Sequence, residues 1–473
     1  MDAVSIGFLC YLAMILIVGL YMGKLTKNVK DFALGGQRLG PTVIAFSERA
    51  SGESAWLILG LPGAALVAGM LEIWTVVGCV GGIIFSWLIV AYPMRQATEK
   101  YNILTLPEYF EKKFNDDSGI IRLFSSVIIT FFFTFYVAAQ FSGAGKVLHV
   151  TFGMTQMQGM ILGAVVIVFY TLMGGFLAVA WTDLIQGIIM IGTLVILPLV
   201  GWIELSGVEA VNIVDWSTLY GGTTGSTALA AAIGGLSWGL GYMGQPHLIA
   251  RYMAIDKSES IAVSRKIAYA WAIPAFIGAM FIGLIGAGLI ESGLLSFEGN
   301  TINSINNLSD PEKLMPIMAK SLLPAWLAGI FISGAIAAMM STADSQLLVS
   351  TTVLTEDITR KYFKQNTTES ELLKIGRLLT IIIGVIAFYM AWKSKDLVFE
   401  MVSYAWGGLG SSFGPALVLS LWWKGVRKEG LLAGLICGTL FTIFPVFAEI
   451  VTPRLSAFVI AGLSVIIVSK LKK

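Results

Sequence analysis

The stretch Ala50-Ser51-Gly52-Glu53-Ser54-Ala55-Trp56 interrupts a long apolar segment of the chain. Apolar sequence approaches it over residues 41–46 and leaves it over residues 57–63. Small and polar side chains, one of them a carboxylate, therefore stand where a membrane helix would be expected to be continuously apolar.

The composition indicates the class of protein. Hydrophobic residues make up 56% of the 473 residues and charged residues only 13%, and the mean hydropathy is +0.81. Soluble proteins carry about 25% charged residues, so we predict an integral membrane protein. The net charge of +2 does not suggest a nucleic-acid partner. Two histidines and three isolated cysteines predict no histidine-rich metal site, no disulfide framework and no enzymatic nucleophile–base pair.

Apolar runs of the length of a membrane helix recur along the whole chain. A membrane-spanning helix needs about 20 mainly apolar residues. The predicted helices are thirteen in number and lie at 5–23, 42–70, 72–94, 122–148, 157–179, 181–204, 227–252, 264–291, 315–350, 374–392, 397–423, 429–450 and 453–470. The first run has no basic region before it and no cleavage site after it, so we expect a retained helix rather than a signal peptide.

Positive charges indicate the orientation in the membrane. Short cytoplasmic loops retain Lys and Arg. With the N-terminus outside, most Lys and Arg, with Arg251 counted among them, fall on the cytoplasmic side, whereas segment 205–226 has none and 292–314 has only Lys313. We predict a multi-pass protein of the cytoplasmic (inner) membrane with the N-terminus outside and the C-terminus in the cytoplasm.

The seventh run resembles the second because its middle is also interrupted. Glycine and proline crowd residues 234–247, and such density weakens or unwinds a helix. The two runs are five helices apart, an odd offset that inverts topology, and inverted units whose broken helices meet at the midplane are typical of secondary transporters. The alternative is that these glycines only allow close helix packing.

The predicted fold is therefore an all-α membrane protein with a five-plus-five inverted-repeat core and broken first helices. We expect one membrane domain. It would comprise an N-terminal helix and loop (1–40), a first repeat (41–204), a second repeat (227–423) and C-terminal helices (429–473).

The ninth run contains polar residues in the middle of apolar sequence. Ser341, Asp344 and Ser345 share one helix face, and Thr342 is adjacent. Their oxygens suit sodium, a hard cation. Alternatively, the hydroxyls bond to their own helix and Asp344 pairs with a cation from another helix. Asp183 in the sixth run either caps that helix or faces Asp344 with a cation between them.

Several aromatic residues stand at or near the predicted breaks. Trp56 and Trp238 each lie at a break, and Tyr242 follows Trp238 by one turn. Tyr136 and Gln140 are mid-helix and one turn apart. Aromatic walls with a few hydroxyl or amide groups fit a small amphipathic ligand, although each residue alone fits a packed core equally well.

Seven sequence blocks together resemble a known family. They are 33–40, 50–56, 104–110, 174–183, 239–247, 340–342 and 412–415. In their order and spacing these blocks resemble the sodium/solute symporter family, most closely its bacterial sodium/proline symporters. The resemblance implies uptake of a small zwitterionic solute, with L-proline as the first candidate and another amino acid or small carboxylate as the alternative. The transport would be driven by sodium through alternating access across the lipid bilayer.

The resemblance also implies site residues. The main sodium site would use the carbonyls of Ala50, Glu53 and Ala338 and the hydroxyls of Ser341 and Thr342. A second sodium site would use Asp183, Ser341, Asp344 and Ser345. The solute pocket would be lined by Trp56, Tyr136, Trp238 and Tyr242, with Ser54 and Gln140 nearby.

The chain departs from the proline carriers at the second-run break. It has Gly52 where they usually have aspartate, and Glu48, Arg49 and Glu53 where they have neutral residues. These positions bear on both sodium coordination and substrate choice. The Glu53 carboxylate has two candidate partners, Arg49 one turn earlier and a substrate amine.

Overall fold

The computed structural model describes residues 3–26, 28–207, 214–363, 367–445 and 452–471. Residues 446–450 of the predicted run 429–450 lie outside them, as do residues 208–213 of segment 205–226. The first half of the chain contains α1 (Ala3–Gly23), α2 (Val29–Leu34), α3 (Pro41–Gly52), α4 (Leu61–Ala68), α5 (Ile73–Ile89), α6 (Ala91–Tyr101), α7 (Leu106–Phe114), α8 (Ile120–Phe152) and α9 (Gln156–Leu205).

The second half is also helical. It contains α10 (Gly225–Leu236), α11 (Pro246–Ala254), α12 (Ser260–Glu291), α13 (Leu314–Leu322), α14 (Ala325–Thr352), α15 (Glu369–Lys393), α16 (Val398–Trp422), α17 (Lys428–Ile443) and α18 (Pro453–Leu471). The strands described are a short antiparallel hairpin, β1 (Ser296–Phe297) and β2 (Asn300–Thr301), between α12 and α13.

Both predicted helix breaks are present. Helix α3 ends at Gly52 because Glu53 leaves the helical region (φ −108°, ψ 61°), and a π-helical segment, Trp56–Gly60, leads into α4. Helix α10 gives way to the 3₁₀ segment Ser237–Gly244, and α11 begins at Pro246. Proline fits the start of a helix because it has no N–H to leave unpaired there. Both breaks leave backbone groups that only protein or a bound ligand can satisfy at membrane depth.

The predicted boundary between the fifth and sixth runs was wrong. Helix α9 continues through it and kinks instead at Gly175, whose φ of 65° and ψ of −177° suit glycine. A Cβ atom there would also lie 2.8 Å from the ring of Phe32. Asp183 consequently lies well inside the second half of α9, so the predicted alternative that it caps a helix was wrong.

The breaks are packed among other helices. Helix α3 contacts α9, α12 and α14, and the 3₁₀ segment Ser237–Gly244 contacts α5 and α16. A Cβ atom on Gly82 of α5 would lie 2.3 Å from the carbonyl oxygen of Gly239. Glycine in this region therefore serves close packing as well as unwinding, so both predicted roles apply.

The burial pattern fits a membrane protein. Large apolar side chains are exposed on outer helices, including Ile17 (66%) and Val385 (63%), whereas the polar residues at the α3 break are fully buried. Eight helical segments of the described chain are long and apolar enough to cross a membrane. The all-α membrane fold is confirmed, and the number of thirteen spans stays a prediction.

Candidate functional site

Oxygen atoms from α3 and α14 converge where α3 ends. The Ser341 hydroxyl lies 2.9 Å from the Ala50 carbonyl oxygen and 3.1 Å from that of Ala338. The Thr342 hydroxyl donates to the Ser51 carbonyl oxygen at 2.9 Å. We call these five oxygens, from Ala50, Ser51, Ala338, Ser341 and Thr342, the main oxygen cluster.

The main oxygen cluster contains four of the five residues predicted for the main sodium site. The Ser51 carbonyl, which accepts from the Thr342 hydroxyl, was not among the predicted ligands. The fifth predicted residue, Glu53, is not part of this cluster. All five residues are fully buried. Within the described chain, no lysine or arginine hydrogen-bonds to these oxygens. A buried, uncharged set of carbonyl and hydroxyl oxygens suits a hard monovalent cation.

A second polar cluster surrounds the guanidinium of Arg251 on α11. Arg251 Nη2 lies within hydrogen-bond distance of three oxygens, and the other two nitrogens each reach one more. The contacts are Nη2 with Ser345 Oγ (2.5 Å), Ser51 Oγ (2.8 Å) and Asp183 Oδ2 (3.1 Å), Nε with Ser47 Oγ (3.1 Å), and Nη1 with the His247 carbonyl oxygen (2.8 Å). We call this set the arginine cluster.

The arginine cluster contains Asp183 and Ser345, two of the four residues predicted for a second sodium site. Asp183 Oδ2 also accepts hydrogen bonds from Ser47 Oγ at 2.6 Å and Ser51 Oγ at 3.0 Å. Asp344 is adjacent, with its Oδ1 3.4 Å from Ser345 Oγ, and interacts electrostatically with Asp183 and Arg251. The structure thus places Asp183, Asp344 and Ser345 near a cation supplied by another helix, which was one of the two alternatives for Asp344. The Ser341 hydroxyl belongs to the main oxygen cluster instead.

Sequence reasoning treated Arg251 as a charge of the cytoplasmic side. Its side chain is instead fully buried and forms a 3.1 Å salt bridge with Asp183. Its position at the end of an apolar run with a break could have indicated a buried side chain. An arginine inside a membrane segment requires a buried anion as its partner.

A third charged group, the carboxylate cluster, comprises Glu48, Arg49 and Glu53. The Arg49 guanidinium contacts Glu48 through two nitrogens and Glu53 Oε1 at 2.7 Å. The Tyr242 hydroxyl donates to the Glu53 carboxylate at 3.0 and 3.2 Å. Of the two predicted partners of Glu53, the structure therefore shows Arg49.

Glu48 has further partners that the sequence did not indicate. Its carboxylate accepts hydrogen bonds from Trp87 Nε1 at 3.1 Å and from the Tyr252 hydroxyl at 3.2 Å. All members of the carboxylate cluster are fully buried. Two carboxylates share one guanidinium, so the cluster carries one excess negative charge when both are ionised.

The two tryptophans at the breaks meet face to face. The rings of Trp56 and Trp238 stack with centroids 4.9 Å apart and planes 17° apart. Phe399 packs against both, at 6.3 and 4.9 Å. The two broken helices, one from each predicted repeat, therefore touch through aromatic side chains.

The remaining predicted pocket residues border this stack. Gln140 Oε1 accepts the backbone N–H of Ala55 at 3.1 Å, which satisfies a donor exposed by the break. The Ser54 hydroxyl lies 3.4 Å from the Tyr136 hydroxyl. Ser54, Tyr136 and Gln140 thus join α8 to the α3 break.

Two neighbours of the predicted pocket were missed. Trp406 donates from Nε1 to the Trp238 carbonyl oxygen at 3.0 Å and packs edge-on against Tyr242. The guanidinium of Arg454 lies 4.4 Å from the Trp238 ring centroid. Both residues come from helices near the C-terminus, and nothing in their local sequence indicates a place beside residue 238.

The sodium:solute symporter family matches residues 32–438 of the chain, which is most of its length. The chain belongs to the sodium:solute symporter family. It is 38% identical to the high-affinity proline transporter PutP of Bacillus subtilis (strain 168), over 90% of this chain and 89% of that protein. It is 34% identical to the sodium/proline symporter of Escherichia coli (strain K12), over 93% of this chain and 86% of that protein.

Solved structures show the same architecture. A sodium-coupled sialic acid symporter in a substrate-bound outward-open state superposes with a TM-score of 0.78 at 19% identity, covering 100% of this chain and 98% of that chain. The nucleobase-cation-symport transporter Mhp1 gives a TM-score of 0.54 at 14% identity, covering 93% and 92%. Membership of the sodium:solute symporter family confirms the resemblance deduced from the sequence blocks and makes the protein a multi-pass membrane transporter.

Proposed function

We propose that this protein is a sodium-coupled symporter that imports L-proline across the cytoplasmic membrane by alternating access. The main oxygen cluster is the observation that carries the proposal, because it offers a cation site at the helix break. The proline transporters among the relatives support the choice of solute. The N-terminus lies outside and the C-terminus in the cytoplasm, as the distribution of Lys and Arg indicates.

Sodium at the main oxygen cluster would link the broken α3 to α14. In the structure the Ser341 and Thr342 hydroxyls bond to α3 carbonyls, and rotation of each O–H would turn an oxygen lone pair toward an ion. The predicted Glu53 carbonyl is a further ligand. A sodium ion that binds one conformation more tightly than the other shifts their populations, and this difference couples its gradient to the solute.

The solute site lies at the stacked tryptophans. At a centroid separation of 4.9 Å the rings of Trp56 and Trp238 touch each other, so binding requires that they separate. The pyrrolidine ring of proline would then pack against indole faces, and its carboxylate and amine would reach Ser54, Tyr136 and Gln140. Such a mixture of apolar walls and a few polar groups is typical of small-molecule sites.

The carboxylate cluster bears on the choice between the alternative substrates. When both carboxylates are ionised, the excess negative charge beside Tyr242 favours a solute with an ammonium group over a carboxylate that has none. Another small amino acid therefore remains the alternative substrate, and a small carboxylate without an amine is disfavoured by this charge.

Uptake in proteoliposomes tests the proposal. Radiolabelled L-proline should accumulate against its own gradient when sodium is high outside, and should not accumulate when potassium replaces sodium. Uptake that is equal in sodium and potassium would contradict the coupling. A panel of unlabelled amino acids and small carboxylates as competitors identifies the substrate, and failure of proline to bind while another amino acid competes would favour the alternative.

A further inference from the structure

The arginine cluster provides a cation where a second sodium ion was expected. Ser345 Oγ and Asp183 Oδ2, both predicted ligands of that ion, are held by Arg251 Nη2 at 2.5 and 3.1 Å. The other predicted hydroxyl, that of Ser341, points to the main oxygen cluster instead. The oxygens that were expected to bind the second sodium ion therefore already surround a positive charge.

A guanidinium and a sodium ion compete for the same oxygens. Arginine presents only hydrogen-bond donors and cannot lose its proton in a protein. Arg251 therefore stays positively charged and occupies these oxygens permanently. An additional ion within reach of Ser345 and Asp183 would lie a few ångströms from the guanidinium, in a buried site where like charges repel strongly. The second sodium does not fit while Arg251 is in place.

The main oxygen cluster differs in this respect. Its hydroxyls bond to carbonyls, and a hydroxyl can turn its hydrogen away and offer a lone pair to an ion. No comparable rearrangement turns a guanidinium into a ligand. The main oxygen cluster can therefore bind a free cation, whereas the arginine cluster receives its positive charge from a side chain of the protein itself.

Two oxygens without hydrogen-bond partners are the ligands that a second sodium ion would use if Arg251 were absent. Asp183 Oδ1 and Asp344 Oδ2 are buried and have no hydrogen-bond partner. The Asp344 carboxylate lies beside Ser345, and the Asp183 carboxylate lies beside the guanidinium. Removal of the positive charge would leave two buried carboxylates and a hydroxyl without a counter-ion, which is a strong attraction for sodium.

We infer that Arg251 is a tethered counter-ion that takes the place of a second sodium ion and thereby limits coupling to a single sodium ion per transport cycle. Arg251 lies on α11, directly after the break of the seventh run, so this cation moves with that half-helix rather than exchanging with solution. The inference rests on the proposed function and specifies its stoichiometry.

Equilibrium binding of radioactive sodium to the purified protein counts the sites without knowledge of the solute. We expect one saturable site in the wild type, one in Arg251→Lys, which retains the charge, and two in Arg251→Ser, which removes it. Adding Asp183→Asn to Arg251→Ser should return the count to one. Two sites in the wild type, or one in a folded Arg251→Ser, would overturn the inference.

The outcomes separate the inference from the proposed function. No sodium binding by the folded wild type would contradict sodium coupling itself, and the inference would fall with it. If Arg251→Ser does not fold, the reversal potential of solute flux in wild-type proteoliposomes decides the matter. A value that corresponds to one sodium per solute supports the inference, and a value that corresponds to two overturns it while leaving the symport function intact.

Discussion

The main oxygen cluster and the arginine cluster are adjacent, and both join α3 to α14. Ser341 and Ser345 stand one turn apart on α14, and the Ser345 hydroxyl donates to the Ser341 carbonyl oxygen at 2.7 Å. Ser51 contributes its carbonyl to one cluster and its hydroxyl to the other. The clusters differ mainly in that a guanidinium from α11 enters only the second.

This difference shows that ligand residue types alone do not define an ion site. Serine hydroxyls occur in both clusters, and the second also has carboxylates, which would make it the more attractive site for a cation. The deciding feature is a side chain from a third helix. A comparison of the two clusters by mutation should therefore separate structural from ion-binding roles.

Loss of the carboxylate that forms a salt bridge with Arg251 should have the largest effect. Asp183→Ala removes the carboxylate that forms the buried salt bridge with Arg251, so we expect the free energy of unfolding in detergent to fall by about 3–5 kcal/mol. Chemical denaturation followed by circular dichroism measures it. Asp117→Ala, at an exposed residue, should change the same quantity by less than about 0.5 kcal/mol.

A double-mutant cycle identifies the cause of that loss. Asp183→Ala combined with Arg251→Ala removes the unpaired charge and should recover part of the stability. If the double variant is as unstable as the sum of the single ones, the salt bridge is not what stabilises this cluster.

Loss of a hydroxyl in the main oxygen cluster should affect sodium more than stability. Ser341→Ala removes the oxygen that lies close to two carbonyls, and a bond to a charged partner contributes about 1.5–3 kcal/mol. The half-saturating sodium concentration for uptake should therefore rise about 10- to 100-fold. Ser333→Ala is the matched control, because that buried hydroxyl on α14 bonds only to its own helix, at the Gly329 carbonyl oxygen.

Equal sodium dependence in Ser341→Ala and Ser333→Ala would remove Ser341 from the proposed ion site. The comparison holds helix, burial and substitution constant. It leaves the position relative to the α3 break as the main difference.

Thr342 should give a smaller effect of the same kind. Its hydroxyl reaches one carbonyl, that of Ser51, so Thr342→Ala should raise the half-saturating sodium concentration by about 2- to 10-fold. Thr342→Ser keeps the hydroxyl and should stay close to the wild type in sodium-dependent uptake. A loss of sodium affinity as large in Thr342→Ser as in Thr342→Ala would show that the methyl group matters and not the oxygen.

The smallest effect is expected at Ser54, which belongs to neither cluster. Its hydroxyl reaches Tyr136 at 3.4 Å, a long contact that contributes little. Ser54→Ala should leave the half-saturating sodium concentration unchanged and raise that for the solute by about 2-fold. An effect on sodium as large as that of Ser341→Ala would contradict the separation of ion and solute sites.

Sequence reasoning predicted the parts of the site that carry a local signal. The break at residues 53–54 follows from polar residues in an apolar run, and the break near residue 240 follows from glycine and proline. The approach of Ser341 to Ala50 came from the family resemblance, since no local pattern relates residues almost three hundred positions apart in the chain.

The unpredicted parts depend on which helices meet. Arg251 was assigned to the cytoplasmic side because a count of Lys and Arg along the chain cannot distinguish a buried guanidinium from a solvated one. Trp406 and Arg454 lie in segments whose own sequence fits ordinary membrane helices. Their roles follow from helix packing, which places them against Trp238 and cannot be read from spacing along the chain.

The stacked indoles of Trp56 and Trp238 also make the protein optically informative. Each ring belongs to a different broken helix, so their mutual geometry reports the relative position of the two repeats. Closely stacked chromophores couple their electronic transitions and quench one another, and this coupling weakens as they separate. Solute that enters between them would therefore alter near-ultraviolet circular dichroism and fluorescence, which provides a label-free record of pocket opening in an unmodified transporter.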